Sequence, residues 1–471
     1  MSNLPAIRGT FFDFVDDPWK HVGNEQESAR FHPDGLLVLE HGKIKDFGAY
    51  ADIGSKYAGV ETTHIKDRLI LPGFIDGHVH VPQTRVLGAY GEQLLPWLLT
   101  WVFPEEMKYT DRAYADEGTR KFFDNLLASG TTTCQALTTS SPVSTEAFFD
   151  EATKRNMLVI GGLTGIDRMA PDNMVNTPEG FYQDSKSLIE KYHRKGRNLY
   201  AITPRFAYGA SPELMDSCRK LKKEFPDCWV NTHVSENPSE IFGVVRLHNP
   251  TGDYLDHDYL SVYEHYELVG PKFSGGHGVW LSDDEFRRIH DKDASVTFCP
   301  CSNLFLGSGL FRLGKATDPN CRVRMSFGTD VGGGNRFSMF NVLDEAYKVG
   351  MVNNTLLDGS VDPSKKNLAE AERNKLSPFR AFWSVTLGGA HGLFIDDRVG
   401  NFEVGKEADF VVLDWNGGPM AMKWHQELLV GPNGAQTMKE ATDLLFSIMI
   451  VGDDRCVDET WVMGKRAYKR S

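Results

Sequence analysis

Eight short runs of apolar and β-branched residues recur along this chain. Each ends in polar residues and is followed by a stretch with helical periodicity. They are LPGFIDGHVH (71–80), GTTTCQAL (130–137), MLVIGGLT (157–164), LYAITPRFA (199–207), CWVNTHVSE (228–236), KFSGGHGVW (272–280), SVTFCPCSN (295–303) and RVRMSFGTD (322–330). Helix-like segments lie between them, for example STEAFFDEATKRN (144–156) and GFYQDSKSLIEKYHRKG (180–196). Strands that alternate with helices pair in parallel, because each helical crossover returns the chain to the same end of the sheet. Eight such units over roughly 250 residues fit a closed (β/α)₈ TIM barrel of the α/β class. An open doubly wound sheet is the alternative.

At 471 residues the chain exceeds what one hydrophobic core usually fills, so a second unit is expected. Residues 1–70 hold GLLVLEHGKIKDFG, two strands about a polar turn, followed by THIKDRLILP. Residues 401–471 hold EADFVVLD and CVDETWVMGKRAYK, again strand-like. The expected division is therefore a barrel over 71–400 and a small β-sandwich domain composed of 1–70 and 401–471. One long connection, 81–110, carries the apolar stretch LLPWLLTWVFPEE. A lid, a dimer contact and an apolar helix packed on the barrel are all open readings for it.

Composition narrows the partners. A net charge of −13 argues against nucleic acid, whose phosphates demand clustered Lys and Arg. No run of about 18 apolar residues would cross a bilayer. The start, MSNLPAIRGTFFDFVDDPWK, lacks the basic region and apolar core of a signal peptide. Seven scattered cysteines, an odd number, do not suggest a disulfide framework. The expectation is a cytoplasmic protein that handles small molecules and binds neither membrane nor nucleic acid.

In a barrel of this kind, chemistry gathers where the C-terminal ends of the strands meet. His78 and His80 end the first run, His233 the fifth, His277 the sixth and Asp330 the eighth. Side chains two apart on a strand share a face, so His78 and His80 project together. Singly each of these is weak evidence, and histidines such as His193 and His391 read as structural. Together, five potential ligands from four strands converge on one barrel mouth. Imidazoles with one carboxylate suit Zn²⁺, with Fe²⁺ the second candidate. A catalytic zinc keeps a position open for water and lowers its pKa to about 7. Glu236, three residues after His233, is the candidate proton carrier; it also suits the start of a following helix, where the dipole favours an acid.

Competing chemistries lack their parts. There is no Gly-x-Ser-x-Gly nucleophile elbow. GNFEVGKE (400–407) approaches a phosphate loop, but Glu407 stands where Ser or Thr is required, and a strand rather than a helix follows. Cys299 and Cys301 share a strand face, yet burial is the commoner fate of free cysteine. The zinc deaminases with a His-x-Glu and Pro-Cys-x-x-Cys pattern do not match.

With these residues in view, the chain resembles the amidohydrolase superfamily and, within it, the guanine deaminase family. The broader likeness rests on PGFIDGHVH, THVSE, the later lone His, GTD, SVTLGGAHGLF and GNFEVGKEADFVVLD, and covers nearly the whole chain. The narrower one rests on YGEQLLPWLLTWVFPEE, TPRF, FCPCSNLFLGSGLFRL and DEAYKV. Cys301 departs from the family pattern, which has Thr there. The fourth run has no lysine to bridge two ions, which favours a single metal.

The resemblance implies that His78, His80, His233 and Asp330 hold one Zn²⁺ per chain. It implies His277 beside the metal, orienting water or substrate, with Glu236 and Asp330 moving protons. It also implies a substrate pocket of His80, Gln83, Arg205, Phe206, His233, Glu236 and Asp330. Arg205 and Gln83 are donors suited to the O6 and ring-nitrogen acceptors of guanine, and Phe206 offers a stacking face. The implied reaction is hydrolysis of guanine to xanthine and ammonia in purine catabolism, by attack of metal-activated water on C2. The implied assembly is a homodimer. Two rivals share these residues. One is a related aminohydrolase or chlorohydrolase acting on 8-oxoguanine, a triazine or another purine. The other is a non-catalytic metal-holding scaffold, which the joint presence of Glu236 and every ligand disfavours.

Overall fold

The eight expected runs are all strands of one barrel: β1 (Phe74–His80), β2 (Thr131–Leu137), β3 (Leu158–Gly162), β4 (Asn198–Pro204), β5 (Trp229–Val234), β6 (Phe273–His277), β7 (Ser295–Phe298) and β8 (Arg324–Phe327). The computed structural model describes residues 5–91, 93–248, 258–356, 367–431 and 434–471. Neighbouring barrel strands pair in parallel and in chain order. The ring closes just beyond β8, where Asp330 N donates to His78 O at 2.8 Å and His80 N donates to Val331 O at 3.0 Å. Closure thus occurs on the residues that carry the candidate ligands. The strands are buried on both faces, as near-continuous apolar runs require.

The outer helices begin where prolines pre-set the first turn. Pro142–Arg155 starts two residues before the expected 144, and Pro178–Tyr192 two before the expected 180. Proline fixes φ near the helical value and lacks an N–H that would have no partner in the first turn. The first of these helices stops at Asn156, whose φ of 56° is left-handed and cannot propagate it.

Both chain ends join a second, seven-stranded mixed sheet. Its order is Lys465–Lys469, Val457–Val462, Phe410–Leu413, Thr62–Pro72, Ala6–Phe14, Ala29–Glu40 and Lys43–Ala49. Two hairpins turn at His41–Gly42 and Met463–Gly464, each with positive φ at both positions, as a tight two-residue turn demands. Thr62–Pro72 is the hub: it pairs in parallel with the first strand and antiparallel with Phe410–Leu413. After Gly73 the same run continues as β1. Helices Met420–Leu429 and Met438–Val451 interrupt the C-terminal strands; a capping box between Thr437 and Glu440 starts the second.

The 81–110 connection is largely helical. Leu94–Trp97, Leu98–Val102 and Phe103–Glu106 run on as one rod with a π turn in the middle. Its buried Leu94, Trp97, Leu98, Val102 and Phe103 pack with Val86, Ile166, Phe206 and Leu306 over the barrel mouth. The apolar spacing of three and four residues supplies a one-sided stripe, which is why this stretch folds as a helix rather than an open loop.

Candidate active site

The five metal-capable residues meet at the C-terminal end of the barrel, all buried. His78, His233, His277 and Asp330 offer ligand atoms that all lie within 4.8 Å of one another. His80 joins them from the same strand face as His78: its Nε2 is 3.1 Å from Asp330 Oδ1 and 3.3 Å from His233 Nε2. Both ring nitrogens of His78, Nδ1 of His80 and Nε2 of His277 are buried without a hydrogen-bond partner among the described residues. Buried polar atoms without partners are costly. An imidazole left wholly without partners, as at His78, fits a cation that its lone pair would satisfy.

Protonation states agree with that use. Burial pushes the His80 and His233 imidazoles below their ordinary range, helped at His233 by the neighbouring rings, so both are neutral. Burial likewise lowers His277, to about 3. Burial alone would raise Asp330, but the facing His78 and His80 imidazoles, with Nε2 atoms 3.5 and 3.1 Å from its Oδ1, hold its carboxyl well below the usual range. His80, His233 and His277 are thus shifted toward the neutral imidazole and Asp330 toward the carboxylate, the states in which these groups bind metal.

Surrounding groups fix the rings. His233 Nδ1 lies 2.5 Å from Arg205 O; a carbonyl only accepts, so the ring's proton sits on Nδ1 and Nε2 is free to ligate. Asn303 Nδ2 donates to His277 Nδ1 at 2.9 Å, which leaves the His277 proton on Nε2. Proximity alone would group His277 with the ligands, but this tautomer makes it a donor, so His80 is the better fourth member. His277 Nε2 instead faces Glu236 Oε2 at 3.5 Å. Asp76 accepts from Thr329 N and from His78 N, tying β1 to the segment that bears Asp330. Gly276 leaves room for the His78 ring: a Cβ there would lie 2.7 Å from His78 Cε1. Ser235, His277 and Asp330 all hold left-handed φ, at 48°, 74° and 48°. Three non-glycine residues in that region at one mouth mark a functional site.

Glu236 stands beside the cluster, its Oε1 accepting from Ser308 Oγ at 3.1 Å. Burial, then the nearby carboxylates of Glu240 and Asp330, push its carboxyl well above the ordinary range. Glu240, itself raised to about 7 by burial, accepts from Tyr259 OH and the Glu236 backbone N–H and steadies this turn. Above the polar floor, one pocket brings together His80, Gln83, Arg205, Phe206, His233, Glu236, His277 and Asp330 under an apolar wall of Leu94, Trp97, Leu98 and Leu306. Of the open readings for the 81–110 connection, the helix packed on the barrel supplies most of that wall, while the sequence reading missed Glu106, Asn303 and Ser308. Glu106 had a readable signal: a carboxylate three residues after Phe103 falls on the buried stripe of its helix. Asn303 and Ser308 had none, since their partners lie 26 and 72 residues away.

Other candidates resolve as structure. His193 accepts the Tyr200 N–H on Nδ1 and so donates from Nε2 to Asp227; with no free lone pair, its grouping with Asp227 and Cys228 is no metal site. Cys299 and Cys301 are buried, and burial raises both thiols. Glu407 binds Arg197 and Arg398 rather than a phosphate.

The Amidohydrolase family description matches residues 69–467. The chain is 41% identical over 475 residues to the guanine deaminase of Escherichia coli (strain K12), covering 99% of this chain and 98% of that one. A crystal structure of guanine deaminase from Bradyrhizobium japonicum superposes with a TM-score of 0.96 at 70% identity, with both chains fully covered. That of the C. acetobutylicum enzyme, with guanine bound in its active site, does so at 0.83 and 26%, covering 99% and 100%. The barrel, the histidine–aspartate cluster at its mouth and these full-length likenesses lead to one statement: this chain belongs to the amidohydrolase family, among the guanine deaminases.

Proposed function

We propose that this protein hydrolyses guanine to xanthine and ammonia, with one Zn²⁺ per chain. The observation that carries the reading is a buried Glu236 facing the same pocket as His80, His233, Asp330 and the donors Gln83 and Arg205. His78, His80, His233 and Asp330 would hold the ion, which supplies an activated water at neutral pH. In this reading Arg205 and Gln83 hold the ring through O6 and its neighbouring ring acceptor, and Phe206 lies against its face. Asp330 takes a proton from the attacking water, and Glu236 gives its own to N3 as C2 becomes tetrahedral. A new C–O bond forms at C2, and the bond to the exocyclic amine breaks as the proton taken up by Asp330 passes to that amine. Ammonia leaves while the C2 hydroxyl proton returns to Glu236 and C2=O forms. His277 Nε2–H orients the water or the tetrahedral centre.

The reading includes a homodimer in the cytoplasm. Leu99 and Trp101, exposed on the outer side of the wall helix, support a second copy as their cover. Among the described residues no helix is long and apolar enough to cross a membrane.

The test is ammonia release from guanine, 8-oxoguanine, adenine and cytosine by zinc-loaded protein, with metal analysis alongside. Guanine fastest, with xanthine as product and activity lost on chelation, is the expected outcome. Faster turnover of another ring would remove guanine from the reading, and bound zinc with no turnover on any ring would leave only a scaffold.

A further inference from the structure

The helix that walls the pocket also carries a carboxylate that does not line it. Glu106 is 1% exposed and receives two hydrogen bonds: from Gln83 Nε2 to Oε1 at 3.1 Å and from Arg205 Nη1 to Oε2 at 2.7 Å. Its neighbour Glu105 faces elsewhere, bound by Tyr114 OH and Lys108. Of the two acids in FPEE, only Glu106 stands behind the pocket's polar side chains.

Those bonds settle which atoms Gln83 shows. A carboxylate only accepts and a backbone N–H only donates. Glu106 therefore takes the amide nitrogen of Gln83, while Gly332 N donates to its Oε1 at 3.0 Å. The carbonyl is used on Gly332, and one N–H remains for the pocket. Arg205, anchored through Nη1 and packed with Cζ 5.3 Å from the Phe103 ring centroid, has only donors to offer. Phe103 and Glu106 come from the same helix. This side of the pocket thus offers an N–H from each residue, with the Gln83 carbonyl held by the Gly332 N–H.

We propose that Glu106 is the positioning residue that keeps this wall donor-only, and that it thereby sets the preference for a 6-oxo over a 6-amino ring. The inference rests on the guanine reading above. An oxo group accepts from both donors. An amino group there would set N–H against N–H, leaving buried donors unpaired, and sites built around such bonds reject the mismatched analogue strongly. Replacing Glu106 by Gln removes the charge and offers Gln83 and Arg205 an N–H as readily as a C=O, so neither is held in one orientation.

The experiment compares kcat/KM for guanine and for 2,6-diaminopurine, which carry the same 2-amino leaving group, in zinc-loaded wild type and Glu106→Gln. Zinc content is measured on each. Wild type should favour guanine by about 10³-fold or more. The variant should lose about 10²-fold on guanine, chiefly in KM, and far less on 2,6-diaminopurine, with zinc unchanged, so that the preference collapses. An equal fall on both rings would reduce Glu106 to neutralising a buried arginine, and loss of zinc would make its role structural; either overturns the assignment. If Glu106→Gln yields no soluble protein, Glu106→Asp keeps Arg205 neutralised while drawing the carboxylate back from Gln83, and the same ratio is read from it. A wild type that ignores guanine sinks the functional reading itself. A wild type that favours guanine, with the variant's preference unmoved, sinks only the role of Glu106.

Discussion

At the scale of single residues, the site works by opposing two carboxyl groups in one mouth. The facing His78 and His80 imidazoles hold the Asp330 carboxyl low despite its burial. Burial and two nearby carboxylates push the Glu236 carboxyl up against one hydroxyl donor. In the proposed reaction, environment rather than residue type thus separates acid from base, which is how one pocket would run both halves of a hydrolysis. Replacing Glu236 with Gln keeps size and hydrogen bonding but removes the transferable proton. The expected result is a fall in kcat of about 10³-fold with zinc content unchanged, read by ammonia release and metal analysis on the same preparation. Turnover near the wild-type rate would move the proton to another group.

At the scale of elements, the strand ends were legible because strand geometry is periodic. His78 and His80 share a face by their spacing, and each later ligand closes its own apolar run, so the mouth could be assembled before any coordinates. What lay behind the mouth was not legible. Asn303 on His277 is a contact between segments whose separation carries no period, and the same holds for the insertion of Phe410–Leu413 beside Thr62–Pro72. In SGGHGVW the histidine is the legible feature, yet Gly276 is what lets β6 pass beside the His78 ring. Gly276→Ala tests this directly. Its methyl would meet the His78 ring at 2.7 Å, and the ring must shift within the cluster. Zinc affinity, measured by competition with a chelator, should fall at least about tenfold, in the range found for displaced ligand support, while the far-ultraviolet circular dichroism stays that of the wild type. Unchanged affinity would mean the ring can yield without leaving the metal.

At the scale of the whole molecule, the two ends of the barrel have different work. The C-terminal mouth holds the candidate site; the opposite face holds the second sheet. Arg197, just before β4, donates to Glu407 at 2.9 Å and to Asp409 at 2.6 Å, all three groups buried. Arg398 binds Glu407 as well, and Ile44 N meets Lys406 O at 2.9 Å, so one knot ties the barrel to strands from both chain ends. Its location separates stability from catalysis. Arg197→Met would leave two carboxylates buried without their shared cation, a loss of about 3–5 kcal/mol. The thermal midpoint should drop by several degrees. Below that transition, zinc content should be unchanged and KM should stay within about twofold of wild type, because no link in the knot reaches the pocket. A tenfold change in KM at a temperature where the variant is folded would show that the two faces of the barrel are coupled and that the sheet helps to shape the mouth.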